Sequence, residues 1–243
     1  MEKNKITIGL VVIAIIALVV YGVVYTRNAP GKTENAKTTG EKTQMQDFPE
    51  TNSNNPVVTL KTTMGDITLE LYMDKEPKTA GNFLTLAKQG FYTGTKFHRV
   101  IDNFMIQGGD PFSKGDDKSL WGRGGPGYTI DDEFSPELSN IRGTIAMANI
   151  GEPNTGGSQF FINQINNTGL DFDKPPFTSK HPVFGGVLAG MDVVDAIAKT
   201  PTDDGDRPLT DVIINDVVIV RDVATGTPAT ATSTDDTKDP QVQ

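Results

Sequence analysis

Hydrophobic and polar positions along this 243-residue chain fall into distinct regimes. Residues 6–25, ITIGLVVIAIIALVVYGVVY, are 20 consecutive positions without a charge. At about 1.5 Å per residue such a helix spans about 30 Å, the depth of a bilayer's hydrocarbon core. The run exceeds the apolar region of a cleaved signal, no small-residue cleavage pattern follows it, and Tyr21 and Tyr25 lie toward one end. The pattern therefore predicts a transmembrane signal-anchor helix behind a short head, residues 1–5. Lys3 and Lys5 precede the span and Arg27, Lys32 and Lys37 follow it, so charge does not set orientation; a short head before a long domain favours the N-terminus inside. Residues 26–55 are polar and carry no apolar period. They bury too little to offset the entropy of ordering and read as a disordered linker, and residues 223–243 read as a disordered tail.

Between them, residues 56–222 form one predicted domain of short alternating runs. Residues 57–62 and 66–72 are a hairpin signal across Thr63-Met64-Gly65, with Leu60, Ile67, Leu69 and Leu71 facing inward. Pro77 opens a helix with apolar positions Phe83, Leu84, Leu86 and Ala87, and Gly90 ends it. Residues 97–101 and 103–107 are two further strand-like runs. An irregular segment rich in Gly and Asp, 111–132, comes next, then short strands over 141–149, 159–163 and 183–187. A second helix covers 191–199, and a last strand region covers 209–221. Many short strands with two separated helices predict a mainly β domain, a closed or nearly closed barrel capped by helices.

Composition narrows the chemistry. A net charge of -9 with no long basic block argues against nucleic acid as a partner. The chain has no cysteine, which removes disulfides, thiolate nucleophiles and Cys-ligated zinc, and with only two histidines a His-rich metal site is not expected.

Several motifs lose to plainer readings. Gly122 to Gly127 spells G-x-G-x-x-G, but Pro126 and β-prone residues follow where a dinucleotide site requires a helix. Gly156-Gly157-Ser158-Gln159-Phe160 resembles a nucleophile elbow without its final Gly, leaving a serine hydrolase as a weak reading. Asp203-Asp204-Gly205-Asp206 fails the calcium-loop spacing and reads as a solvated turn.

The informative stretch is 96–110, KFHRVIDNFMIQGGD. In a strand Arg99 and Ile101 face one way and His98 and Val100 the other, which sets a guanidinium beside a Phe/Met surface. That is a poor core and a good wall for a wet apolar groove. A second block, Met147-Ala148-Asn149 and then 154–162, adds another amide and an aromatic pair.

FHR, FMIQGGD, MAN, NTGGSQFFI and HPVFG, in this order and at these intervals, resemble the cyclophilins, a class of peptidyl-prolyl cis/trans isomerases. The resemblance covers residues 57–220 and, with the anchor predicted over residues 6–25, suggests a membrane-anchored, bacterial-like member. It implies a closed eight-stranded antiparallel barrel capped by two α-helices, with a proline-binding groove on its outer face. By position, Arg99 matches the catalytic arginine, and Phe104, Met105, Phe161 and Leu170 match the walls around the proline ring. Gln107 and the backbone of Asn149 match the peptide-binding groups, Ala148, Gln159 and His181 match other groove positions, and His98 matches a supporting residue. The implied enzyme is a monomer acting on proline-containing polypeptides without cofactor or metal.

These residue types suit the reaction. An X-Pro bond is held by resonance behind a barrier of about 18–20 kcal/mol. No bond breaks, so a cation that meets the prolyl nitrogen as conjugation is lost supplies the chemistry. A planar arginine fork is expected to engage Gln107 and the substrate together.

Two departures from the family pattern stand out. Gly169 occupies the position where many cyclophilins carry a groove-edge tryptophan, which puts cyclosporin binding in question. Residues 171–179 form a longer link than usual, from which Phe172 or Phe177 is a candidate to fold over the pocket in that tryptophan's place. The alternative to an isomerase is a tethered chaperone module that holds proline segments with little turnover.

Overall fold

The computed structural model describes residues 51–173 and 180–222. Eight strands form one antiparallel sheet: β1 (Val57–Thr62), β2 (Gly65–Leu71), β3 (Arg99–Ile101), β4 (Met105–Gly108), β5 (Thr144–Met147), β6 (Phe160–Asn163), β7 (Val183–Ala189) and β8 (Ile214–Arg221). Their spatial order is β3-β4-β6-β5-β7-β2-β1-β8. The strand pairing corrects the expected closed barrel: the sheet is open, a half-barrel with β3 and β8 as its edges. The seam between those edges is carried instead by chain outside the strands. An isolated bridge joins Lys96 to Ile213, and the Phe97 and Ile214 N–H groups donate to Val212 and Thr95 carbonyls at 2.9 and 2.8 Å. β3 is three residues long and β8 starts only at Ile214, not at 209 as the pattern suggested. β3 is too short to complete a ladder, and β8, although eight residues long, begins just after the residues that meet the other edge. Register shifts in the β1–β8, β2–β7 and β5–β7 pairs add the bends that curl the sheet.

Period-2 alternation explains the interior. Leu60, Ile67, Leu69 and Leu71 are all fully buried, as are Phe97, Ile106, Ile145, Phe160, Ile162 and Phe184. Helix α1 (Pro77–Lys88) starts on Pro77, whose missing N–H costs nothing in a first turn, and lies against β7 and β8. Its buried face carries Phe83, Leu84, Leu86 and Ala87. Phe83 stacks on Tyr92 at 4.7 Å between centroids and meets Phe160 edge-on at 5.4 Å. Each such side chain removed from water contributes about 1.5–3 kcal/mol. Helix α2 (Met191–Ala198) buries Val194, Ile197 and Ala198 and packs against β2, β3 and β4.

Residues 6–25, predicted to cross a membrane, lie outside the described residues, as do the linker up to residue 50 and the tail from residue 223. Among the described residues no helix is long and apolar enough to cross a membrane.

Candidate functional site

Strand register assembles the site. Arg99 on β3 lies opposite Gln107 on β4, Gln107 opposite Phe161 on β6, Phe161 opposite Ala146 on β5, and Ala146 opposite Val183 on β7. Directly opposed side chains in a sheet lie about 5 Å apart, so one row crosses five strands on the outer face. Met105, two positions before Gln107, adds to the same face. The alternation expected over 98–101 holds: His98 and Val100 are buried, whereas Arg99 and Ile101 are partly exposed.

Loops complete the wall. Phe104 sits in the β3–β4 turn; its carbonyl accepts from the Gln164 N–H at 3.0 Å and from the Asn167 side-chain amide at 2.9 Å. Leu170 ends a one-turn helix, Thr168–Leu170, and its carbonyl accepts from the His181 N–H at 3.1 Å. Ala148 and Asn149 follow β5. The Asn149 side chain is committed to backbone on two loops, donating to the Lys180 carbonyl ahead of β7 at 2.6 Å and accepting from the Gly151 N–H at 3.0 Å. What Asn149 presents to the groove is therefore its backbone.

These pieces enclose one cleft of about 170 Å³. Arg99, Gln107 and His181 supply its polar groups, Phe104, Met105, Phe161 and Leu170 its apolar walls, and Ala148 and Asn149 its remaining edge. Nine of the eleven residues picked out from sequence thus surround one space. Gln159 lies beside it, lining a wider neighbouring cleft of about 420 Å³ that shares Gln107, Ala148 and Asn149. The tenth and eleventh positions differ in kind: Gln159 is a groove neighbour, while His98 is buried behind the wall.

Electrostatics keep the pocket's imidazole neutral. The His181 Nδ1–H donates to the Met147 carbonyl at 2.9 Å, and its ring meets Phe161 edge-on at 5.2 Å. Burial lowers its pKa, partly opposed by that hydrogen bond. His98 is lowered for the same leading reason, opposed first by the Asp110 charge and then by the Lys96 backbone and the Gln159 side chain. His98 is enclosed behind the wall and does not line the cleft. Arg99 is then the pocket's cation.

The Gln107 side chain does not hold that arginine. It donates to Gln159 Oε1 at 3.0 Å, and Gln159 in turn donates to the Gly122 and Gly124 carbonyls at 3.1 and 2.8 Å. The expected shared fork between Arg99 and Gln107 is therefore replaced by an amide relay into the Gly-rich segment, because Gln159 offers a neutral partner without the cost of aligning two exposed side chains. The segment at 122–127 is a loop, as its Pro126 implied, and forms one side of the wider cleft. Sequence reading dismissed it as a cofactor motif and did not see it as a groove wall.

Packing bears on two other expectations. Ser158 is fully buried and its hydroxyl donates to the Gly109 carbonyl at 2.8 Å, which takes it out of reach as a hydrolytic nucleophile. Gly109 itself, at φ +84°, has room for no Cβ: one would lie 2.3 Å from the Ser158 carbonyl. Phe172 stacks on Phe134 at 5.1 Å and lines a different, smaller crevice, and it is not among the residues lining the cleft around Arg99. Phe177 lies outside the described residues. Missed altogether was Glu76, fully buried at the head of α1, whose pKa burial pushes up to about 7. Its Oε1 accepts from the Ser135 N–H at 2.6 Å and its Oε2 has no partner. Nothing in the local pattern distinguishes it from an exposed helix-start acid.

Comparison with known proteins identifies the family. The family model described as "Cyclophilin type peptidyl-prolyl cis-trans isomerase/CLD" matches residues 57–219. The chain is 45% identical over 166 residues to peptidyl-prolyl cis-trans isomerase CYP18-1 of Arabidopsis thaliana, covering 67% of this chain and 94% of the relative. It is 41% identical over 192 residues to a longer Streptococcus pyogenes protein whose name pairs a phosphatase with the isomerase, covering 69% of this chain and only 39% of that relative. Among solved structures, a Cryptosporidium parvum cyclophilin type peptidyl-prolyl cis-trans isomerase is 35% identical with a TM-score of 0.59, covering 69% of this chain and 99% of that one. The same protein has been solved in the presence of the dipeptide Ala-Pro.

Proposed function

The chain belongs to the cyclophilin-type peptidyl-prolyl cis-trans isomerases, and on that premise we propose that it is a membrane-tethered folding catalyst for proteins outside the cytoplasm. The activity is rotation about X-Pro bonds in proline-containing polypeptides. The tether is residues 6–25, the spacer is the linker that follows, and the domain works as a monomer on the far side of the membrane, in the manner of a bacterial-like signal-anchor protein. The uncharged run of 20 residues supports the tether, and the short head before it supports the orientation.

In the mechanism the ring of the substrate proline sits among Phe104, Met105, Phe161 and Leu170, which hold it while the preceding carbonyl swings. Gln107 and the Asn149 backbone bind the peptide on either side, with Ala148, Gln159 and His181 shaping the groove. Arg99 faces the prolyl nitrogen. As the amide twists, the nitrogen recovers its lone pair, and a guanidinium there stabilises the transition state more than the planar ground state. The apolar walls lower the local dielectric and strengthen that effect. The single observation that carries this reading is the cleft itself: one cation, one neutral imidazole and four apolar walls around a space of about 170 Å³.

X-Pro exchange measured by NMR on the full chain in detergent, beside its Arg99→Ala variant, tests it. The parent should accelerate exchange and the variant should lose at least about tenfold, or about 1.4 kcal/mol of transition-state stabilisation. A parent that binds the peptide but leaves exchange slow would make the domain a holder of proline segments. Gly169, in place of a groove-edge tryptophan, is the feature that favours that second reading.

A further inference from the structure

Arg99 is paired, but not by its neighbour in the sheet. The Gln107 amide is spent on Gln159, and the group that reaches the guanidinium is the Asp206 carboxylate, 3.4 Å from Nε. Asp206 belongs to the turn ahead of β8, far downstream of Arg99 in the chain. That turn is tightly built. The Asp206 N–H donates to the Asp203 carbonyl at 3.0 Å and the Asp203 N–H donates to the Arg207 carbonyl at 2.8 Å. The Asp203 carboxylate accepts from the Gly205 and Arg207 N–H groups at 2.9 and 3.1 Å. An isolated bridge between Thr202 and Pro208 closes its base.

The turn is also docked where it matters. The Val100 N–H, one residue after Arg99, donates to the Asp206 carbonyl at 2.8 Å. Backbone contact therefore sets the distance between residue 206 and the arginine before either side chain acts. Asp206 has φ +61°, in the left-handed region. Glycine would occupy that conformation without strain, and among other residues Asp and Asn tolerate it best. The position accepts a strained backbone and carries a carboxylate aimed at the pocket's cation.

We infer that Asp206 is a positioning residue for the isomerase reaction: its carboxylate holds the Arg99 guanidinium through Nε and leaves the two Nη groups to face the prolyl nitrogen. Arg99 and Asp206 side chains are 44% and 45% exposed, so the pair adds little to folding stability. Its effect is on geometry. An arginine confined before substrate arrives gives up less rotational freedom at the transition state. The inference rests on the proposed role of Arg99.

The test measures peptide affinity and catalysed X-Pro exchange together, by NMR on the full chain in detergent, for the parent, Asp206→Asn, Asp206→Gly and Arg99→Ala, and for Asp206→Asn combined with Arg99→Ala. Both Asp206 variants should bind peptide within about twofold of the parent yet slow exchange about three- to tenfold, a separation of binding from turnover that an orientation effect predicts. Asp206→Gly should melt no lower than the parent, because it relieves the backbone. In the Arg99→Ala background the Asn substitution should change nothing further, since the two residues act as one unit. Exchange unchanged or faster in Asp206→Asn would overturn the inference, as would a loss that persists without Arg99. A parent that does not accelerate exchange, or an Arg99→Ala variant equal to it, would remove the underlying reading and this inference together.

Discussion

Strands β4, β5 and β6 each show two faces, and both are apolar. Inward, Ile106, Ile145, Met147, Phe160 and Ile162 join Phe83, Phe97 and Phe184 in the main core. Outward, Met105, Ala146 and Phe161 join Tyr72, Leu138 and Val183 in a second, smaller cluster, with Ile101, Phe104, Ala148 and Leu170 packed at its border. Phe160 and Phe161 are adjacent in sequence and 0% and 4% exposed, so neither burial nor hydrophobicity separates them. What separates them is what closes the layer above. The inner cluster is sealed by α1 and its aromatic stack, whereas among the described residues the outer cluster is bordered by loops and rimmed by Arg99, Gln107 and His181. A hydrophobic layer left partly open, with a few polar groups at its edge, is a binding surface. The same layer closed over is a core.

The two phenylalanines give the sharpest way to break that comparison. Phe160→Ala should cost about 3–5 kcal/mol in a denaturant melt, because Phe83, Tyr92 and Phe97 all lean on the ring. Phe161→Ala should cost about half as much and instead raise KM for an X-Pro peptide about tenfold. Equal stability losses with unchanged KM would mean that the outer cluster is merely a second core.

A smaller effect concerns pH, and it belongs to the outer layer. Glu76 lines the crevice that also holds Leu138, His181 and Val183. Its folded-state pKa is raised from 4.5 to about 7, first by burial and then by Glu133, against a lowering hydrogen bond from Ser135. Between those values the unfolded chain releases a proton that the folded chain keeps, so stability is complete below 4.5, falls as pH rises, and levels off above about 7. Urea melts from pH 4.5 to 7.5 should show that Glu76→Gln removes a decline on the order of 3 kcal/mol, leaving the rise in stability with pH that the lowered His98 and His181 contribute. In the inner core Tyr92 is pushed well above its ordinary value by burial and stays neutral throughout, adding no slope. A Glu76→Gln protein with the parent's slope would place the titration elsewhere.

The smallest expected effect is at Phe172. Because it stacks on Phe134 away from the cleft, Phe172→Ala should leave KM within about twofold of the parent. A larger rise would mean that the ring swings over the proline pocket after all, making the outer layer more enclosed than its rim suggests.

Much of this was legible in the chain because local rules act over a few residues. Alternation placed Leu60, Ile67, Leu69 and Leu71 inside, Pro77 opened α1, and His98-Arg99-Val100 divided correctly between faces. The motifs around Arg99, Phe104, Gln107 and Phe161 carried the resemblance to the cyclophilins, and it was that resemblance that implied which residues line the groove. Pairing across the fold was not legible. Whether the edges β3 and β8 meet as a ladder depends on the bends and lengths of all eight strands. That Gln107 turns to Gln159, that Glu76 loses its water under the 133–135 loop, and that Asp206 reaches Arg99 from a turn that looks solvated all depend on contacts between distant segments. Periodicity carries the facing of a side chain relative to its own strand. Partnership, burial of a charge and the aim of a guanidinium are set by what the rest of the chain brings alongside, and only the tertiary structure decides that.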